Sequence, residues 1–198
     1  MSQQAPNPGR RRFLAVATSA VGIAGAAATA FPFVRSMQSA KDTLAMSTTE
    51  VEIGLVELGQ MIVVPWQGKP VFIVHRTEEM LGTLDARTDL KDPMSDEPEG
   101  GDNPEWFLSG DEKVKAYRAQ RPEWYISSAV CTHLGCVPLF KPEIGDPEMG
   151  GNWQGGWHCP CHGSKYDLAG RVIEGSPAPR NLQIMKYAFM SDTTVLIG

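Results

Sequence analysis

Two patterns of apolar and polar residues divide the chain. From Phe13 to Val34 it runs 22 residues without a charge, bounded by Arg12 and Arg35. As a helix this stretch is about 33 Å long, enough to span the hydrocarbon core of a bilayer. It is only weakly hydrophobic, with eight alanines and two glycines against one leucine and one isoleucine. Gly22 and Ala26 stand at a spacing that suits close packing on another membrane helix. Arg35 to Thr49 is small and polar and reads as a linker; fully extended, it reaches at most about 50 Å. From Glu50 on, the apolar residues come in short blocks. Val51-Glu52-Ile53 alternates, and Met61–Trp66 and Val71–Val74 are apolar, β-branched runs around a turn at Gln67–Pro70. Thr77 is placed to cap a short helix. Trp124–Val130 reads as a strand, Lys165–Glu174 as a hairpin turning at Ala169-Gly170, and Leu182–Met190 and Thr193–Ile197 as two closing strands. The expected fold is therefore an all-β head behind one N-terminal helix.

Composition sharpens this picture. Twenty glycines and fifteen prolines in 198 residues favour loops and short strands over a helical bundle, and a net charge of −5 with no basic stripe argues against nucleic acid. Residues 85–112 hold ten acidic and two basic side chains among prolines and glycines, which reads as a solvated surface insertion, with a docking patch as the alternative. Arg10-Arg11-Arg12-Phe13-Leu14 has the form of a twin-arginine export signal. Ala28-Thr29-Ala30 resembles a cleavage site, so the helix is either a retained anchor or a removed signal, and retention is the expectation.

The chemistry is concentrated between Cys131 and Ser164. Cys131-Thr132-His133-Leu134-Gly135-Cys136 opens the stretch and Cys159-Pro160-Cys161-His162-Gly163-Ser164 closes it; together they hold all four cysteines of the chain. Cys-x-His and Cys-x-x-His each offer one thiolate and one imidazole, a mixed pairing that suits an iron–sulfur centre with two unlike irons. Tetrahedral zinc is a competitor, although zinc ligands usually come as Cys-x2–4-Cys and His-x3–5-His pairs. Two structural disulfides are a third arrangement, one that leaves the histidines unused.

These two boxes resemble those of Rieske iron–sulfur proteins, in particular the iron–sulfur subunit of ubiquinol–cytochrome c reductases, the cytochrome bc complexes. The resemblance implies one [2Fe-2S] cluster, with Cys131 and Cys159 on one iron, His133 and His162 on the other, and a disulfide between Cys136 and Cys161. It implies that Ser164 and Tyr166 direct hydroxyls at cluster and ligand sulfur, and that Gly175–Pro179 is a proline-rich cover. Hydrogen bonds of that kind raise a cluster's potential. It also implies a base sandwich carrying an inserted cluster-binding subdomain, about 126–179, within a head of residues 50–198. The remaining divisions are a cytoplasmic N-terminus (1–12), a membrane anchor (13–34) and a flexible hinge (35–49).

By the same resemblance the chain serves a quinol–cytochrome c oxidoreductase, a dimeric multisubunit complex of the bacterial inner membrane. It takes an electron and a proton from ubiquinol through His162, with His133 beside it, and passes the electron to a membrane-bound c-type cytochrome; cytochrome b provides the quinol site. An iron–sulfur head assembled inside the cell must cross the membrane folded, which the twin-arginine route permits. The arginines before the helix place the N-terminus in the cytoplasm and the head on the periplasmic side, where a disulfide persists. Alternatives are the Rieske small subunit of a periplasmic oxidase such as arsenite oxidase, a Rieske ferredoxin or oxygenase component, and an exported zinc or disulfide-stapled β module. The sequence departs from the family pattern in two places. Lys141–Gln154 reads as an insertion between His133 and Cys159, and His158 stands where an aromatic residue is more usual, as a packed or surface histidine or as an added titrating group. His75 reads as structural.

Overall fold

The computed structural model describes residues 7–37, 47–85, 87–96 and 103–198. The chain divides into two compact units, Met1–Ala45 and Met46–Gly198. Most of the expected hinge, residues 38–46, lies outside the described residues.

Among the described residues the first unit holds one helix, α1 (Pro8–Ser36), which begins before the arginines rather than after them. A helix does not stop at a charge; it starts where its first amides find acceptors. Here Asn7 takes the amides of Gly9 and Arg10 on its side-chain oxygen, and Pro8 supplies a preset φ at the first helical position. Thr29 bonds back to the Gly25 carbonyl at 2.8 Å, so this hydroxyl is satisfied within the helix. The helix is long and apolar enough to cross a membrane, and its own unit buries none of it.

The second unit is built on two three-stranded antiparallel sheets. β1 (Thr49–Glu52), β9 (Thr194–Ile197) and β8 (Tyr187–Phe189) form one, in that order; β2 (Met61–Trp66), β3 (Lys69–His75) and β4 (Trp124–Ser128) form the other. Val51, Val195, Ile197 and Tyr187 from the first sheet meet Val71, Ile73, Trp124 and Ile126 from the second in one core. β3 and β4 are buried on both faces. Phe72, Val74 and Tyr125 point the other way, into a second core with Trp157, Tyr166, Val172 and Leu182. This two-sided burial is why Val71–Val74 reads as an unbroken apolar run instead of an alternation.

The second core supports a third antiparallel sheet of β5 (Leu139–Lys141), β6 (Gly156–His158) and β7 (Lys165–Tyr166). Trp157 on β6 is fully buried and packs against Phe72, Tyr125 and Phe140, with ring centroids 5.3–5.7 Å apart. Two buried arginines join the turn after β7 to the base. Arg76 donates to the carbonyls of Pro122, Tyr117 and Leu168, and Arg118 to those of Ala169 and Leu182. Burial lowers Arg76 to about 10, which still leaves it charged at neutral pH.

Thr77 caps the short helix α2 (Glu78–Gly82), accepting from the Met80 amide, as its residue type predicts. Two other expectations change, and the segment read as an insertion gains a structure. The acidic stretch is not simply solvated: it contains α3 (Glu105–Leu108) and reaches α4 (Glu112–Tyr117), and Leu90 and Phe107 are buried. Leu182–Met190 is a strand only at its end, because the first half crosses between sheets, with Leu182 bonding to the Gly170 carbonyl and Ile184 bridging to Ser127. Lys141–Gln154 folds on itself: Trp153 is buried and donates to the Lys141 carbonyl, and Lys141 pairs with Asp146 and Glu148.

Candidate metal centre

The two Cys/His boxes fold as two copies of one loop. The first follows β4 and the second links β6 to β7. In the first, the Cys131 amide bonds to the Cys136 carbonyl (2.8 Å) and the Gly135 amide returns to the Cys131 carbonyl (2.9 Å). In the second, the Cys159 amide bonds to the Ser164 carbonyl (2.7 Å) and the Gly163 amide returns to the Cys159 carbonyl (2.9 Å). Gly135 and Gly163 close the two turns at φ 86° and 80°, a conformation that favours glycine. Each loop thus presents its leading cysteine inward and carries a histidine over the turn.

Cys131 and Cys159 are buried and free, at 2% and 1% exposure, while Cys136 and Cys161 form a disulfide that joins the loops at their outer ends. The sulfurs of Cys136, Cys159 and Cys161 lie within 4.8 Å of one another, but two of these are spent on the disulfide and are not thiolate donors. His133 and His162 stand edge to face, ring centroids 4.7 Å apart. His162 is exposed and His133 half-buried. The Nδ1 atom of His133 is buried and has no hydrogen-bond partner, an arrangement that is costly unless something binds it. Two buried thiols, that orphaned nitrogen and a second imidazole beside it fit a two-iron centre with unlike ends.

The sulfur environment is polar on one side. Burial alone raises the Cys131 thiol, but hydrogen bonds from Tyr166, the backbone near His133, Cys159 and Ser164 outweigh it and bring it below its ordinary value. Cys159 moves up, first through burial and then through the neighbouring Cys131. The Tyr166 hydroxyl is 3.1 Å from the Cys131 sulfur and 3.2 Å from both the amide and the hydroxyl of Thr132. Thr132 gives its own proton to the Arg180 carbonyl at 2.6 Å, so the phenolic proton is left for the sulfur or the threonine oxygen. Ser164, fully buried, accepts the Ala178 amide at 3.0 Å, which leaves its proton for the Cys131 sulfur.

The expected site residues, Cys131, His133, Cys136, Cys159, Cys161, His162, Ser164 and Tyr166, therefore come together around one small volume. Thr132, which orients Tyr166, has no signal of its own in the sequence. Gly175–Pro179 lies against Ser164 through the Ala178 amide. The other two histidines stand apart from this function. His75 stacks on Trp124 at 4.0 Å and bonds to the Val56 carbonyl, a structural place. His158, on β6, faces Leu139 and Lys165; burial, then Lys165 and Lys141, hold it below its ordinary value and so neutral at pH 7.

Comparison with known proteins agrees with this chemistry. Residues 93–186 match the Rieske [2Fe-2S] domain, and residues 1–40 match the Ubiquitinol-cytochrome C reductase Fe-S subunit TAT signal. The ubiquinol-cytochrome c reductase iron-sulfur subunit of Allochromatium vinosum is 44% identical over 100% of this chain and 92% of its own. The protein of the same name in Rhodospirillum rubrum is 44% identical over 96% of this chain and 91% of its own. The mitochondrial cytochrome b-c1 complex subunit Rieske of Candida albicans is 40% identical over 96% of this chain and 78% of its own.

Proposed function

The chain belongs to the Rieske iron–sulfur subunits of ubiquinol–cytochrome c reductase, and from that premise we propose how its own side chains carry the activity. It is the electron-transfer subunit of a quinol–cytochrome c oxidoreductase and holds one [2Fe-2S] cluster. When bound, that cluster supplies a one-electron carrier. Cys131 and Cys159 would hold one iron as thiolates, and His133 and His162 would hold the other through ring nitrogens. The Cys136–Cys161 disulfide keeps the two loops in register.

The exposed ring of His162 is the group placed to meet a quinol. Its nitrogen that is not a ligand accepts the hydrogen bond of a quinol hydroxyl and then its proton. His133, half-buried, stands behind it. Leu134, Val137 and Leu139 are exposed near the same tip, an apolar collar suited to an apolar quinol site such as cytochrome b provides. Ser164 and Tyr166 direct their hydroxyl protons at the sulfurs, which favours the more negative, reduced charge state and holds the potential up. With the cluster held by these four residues, the quinol's electron would pass through it, and a membrane-bound c-type cytochrome would be the acceptor.

Assembly follows from the N-terminus. The chain is a subunit of a bc-type complex anchored by α1, and its partners are cytochrome b and that c-type cytochrome in a dimeric assembly, with ubiquinol as substrate. Arg10, Arg11 and Arg12 keep the N-terminus cytoplasmic and the head periplasmic, with residues 35–49 as a flexible hinge and 126–179 as the cluster-binding part of the head.

The observation that carries this reading is the edge-to-face pairing of His133 and His162 on the same two loops that bear two buried free thiols, with the other two cysteines oxidised. The test is to purify the chain from membranes in mild detergent. The expected result is co-purification of b- and c-type haem, with an iron–sulfur resonance that disappears in Cys131→Ala and His162→Ala. A protein with bound zinc, no iron and no haem partners would overturn it.

A further inference from the structure

Lys91 stands in the acidic stretch that the sequence pattern assigns to solvent, and its side chain turns inward instead. Its ammonium donates to the carbonyls of Ser176 (2.7 Å) and Ala178 (2.9 Å), both in the strap Gly175–Pro179. Around it the stretch is tied to the same part of the head. The Lys91 amide bonds to the Val172 carbonyl, the Glu174 amide bonds to the Asp89 carbonyl, and Leu90 bridges to Ile173. Asn181 completes the attachment, donating to the Asp92 carbonyl and the Ser95 hydroxyl while accepting from the Val172 amide.

The strap reaches the Ser164 hydroxyl through Ala178. The Ala178 amide donates to the Ser164 oxygen at 3.0 Å, and the peptide before it carries no amide hydrogen, because residue 177 is proline. A serine oxygen that accepts a fixed donor has its own proton constrained to the remaining directions. Where the Ala178 amide sits therefore decides where the Ser164 proton points. Ala178 is held from its other side by the Lys91 ammonium on its carbonyl. Proline fixes φ on both sides of Ala178 but not the strap's distance from Ser164; the Ser176 hydroxyl, bonded to the Lys165 amide and carbonyl, anchors the strap's start, and the two charge-assisted bonds from Lys91 supply the constraint at Ala178.

We propose that Lys91 is a positioning residue for the cluster: by gripping the Ser176 and Ala178 carbonyls it sets the strap that aims the Ser164 hydroxyl, and so holds the reduction potential up. This rests on the reading that the Ser164 hydroxyl donates to the cluster sulfurs. Lys91 touches neither ligand nor substrate. Its effect passes through the Ala178 peptide, and its ammonium charge adds to it only as far as that charge is felt at the centre.

The test is the midpoint potential of the full-length chain with its cluster, by voltammetry, in Lys91→Met, Lys91→Arg, Ser164→Ala and the Lys91→Met/Ser164→Ala pair. Iron content and visible spectrum identify variants that have kept the centre. Lys91→Met is expected to lower the potential by less than Ser164→Ala does, and to lower it no further once Ser164 is already alanine. Lys91→Arg is expected to restore most of the fall. Exchange of the Ala178 amide with deuterium should quicken in Lys91→Met, a readout that does not depend on turnover. A fall in Ser164→Ala with none in Lys91→Met overturns the role of Lys91 alone. An equal fall for Lys91→Met in both backgrounds reduces Lys91 to a bare charge and also overturns positioning. No fall in Ser164→Ala removes the hydroxyl reading itself, and the role of Lys91 falls with it.

Discussion

The Tyr166 hydroxyl lies 3.1 Å from the Cys131 sulfur, across a sequence separation of 35 residues and within a fully buried ring environment. Burial first, then the bond to Cys131, hold this phenol well above its ordinary pKa, so it remains a donor throughout the physiological range. Tyr166→Phe removes the proton and keeps the ring. The expected result is an intact cluster with a lower midpoint potential. A net hydrogen bond of about 1 kcal/mol corresponds to roughly 40 mV for a one-electron couple, on the scale of 59 mV per tenfold. Voltammetry reads this directly, and an unchanged potential would show that the proton points at Thr132 instead.

Reduction of the Cys136–Cys161 disulfide, or Cys136→Ala with Cys161→Ala, releases a loop closed over 25 residues. On the chain-entropy account the head should lose about 3.5 kcal/mol. Urea unfolding with and without reductant measures it. Iron is expected to be retained in the cold and lost earlier on warming, because the ligands remain while the loops that carry them separate more easily.

Asp167 and Arg171 form a buried ion pair at 2.7 Å, with side-chain exposures of 0% and 3%. Asp167 also accepts the amides of Ala169 and Arg171, so the pair shapes the turn after β7. Removing one partner leaves the other charge buried and unpaired. Asp167→Leu is expected to cost about 3–5 kcal/mol, and Arg171→Leu a comparable amount. The double variant should lose less than the sum of the two. Denaturant midpoints for the four proteins decide this, and simple additivity would mean that the pair acts only through its separate backbone bonds.

Asp89 carries a modest acid dependence. The hydrogen bond from Arg87 holds its carboxyl below the ordinary carboxylate value, with burial opposing. A folded-state value depressed in this way contributes stability above the unfolded value, near pH 3.9. That contribution is lost as pH falls through the folded value. The fall in unfolding midpoint between pH 7 and pH 3 should therefore be smaller in Asp89→Asn than in the unaltered chain. An identical fall would place the acid-sensitive groups elsewhere.

Features that depend on neighbours along the chain are legible in its residues alone. The spacing of Cys131 and His133, and of Cys159 and His162, marks two thiolate–imidazole pairs, the donor set proposed here for the cluster. Gly135 and Gly163, each four residues after a leading cysteine, are the residues that its turn needs. The apolar run Val71–Val74 marks a strand buried on both faces, and Thr77 marks a helix start; both signals lie within a few residues of the structure they predict. The tertiary structure alone decided which surfaces meet. It pairs Cys136 with Cys161 and leaves Cys131 and Cys159 free, a choice set by distances between two loops. It folds the acidic stretch inward at Leu90, Lys91 and Phe107, where the excess of charge conceals a few side chains with no periodic pattern. It also ends the expected strand at Leu182–Lys186, because Arg118 and Gly170 hold that segment between sheets. Local backbone preference is written in adjacent residues, whereas a single lysine on two distant carbonyls gains its role only when the chain brings them together.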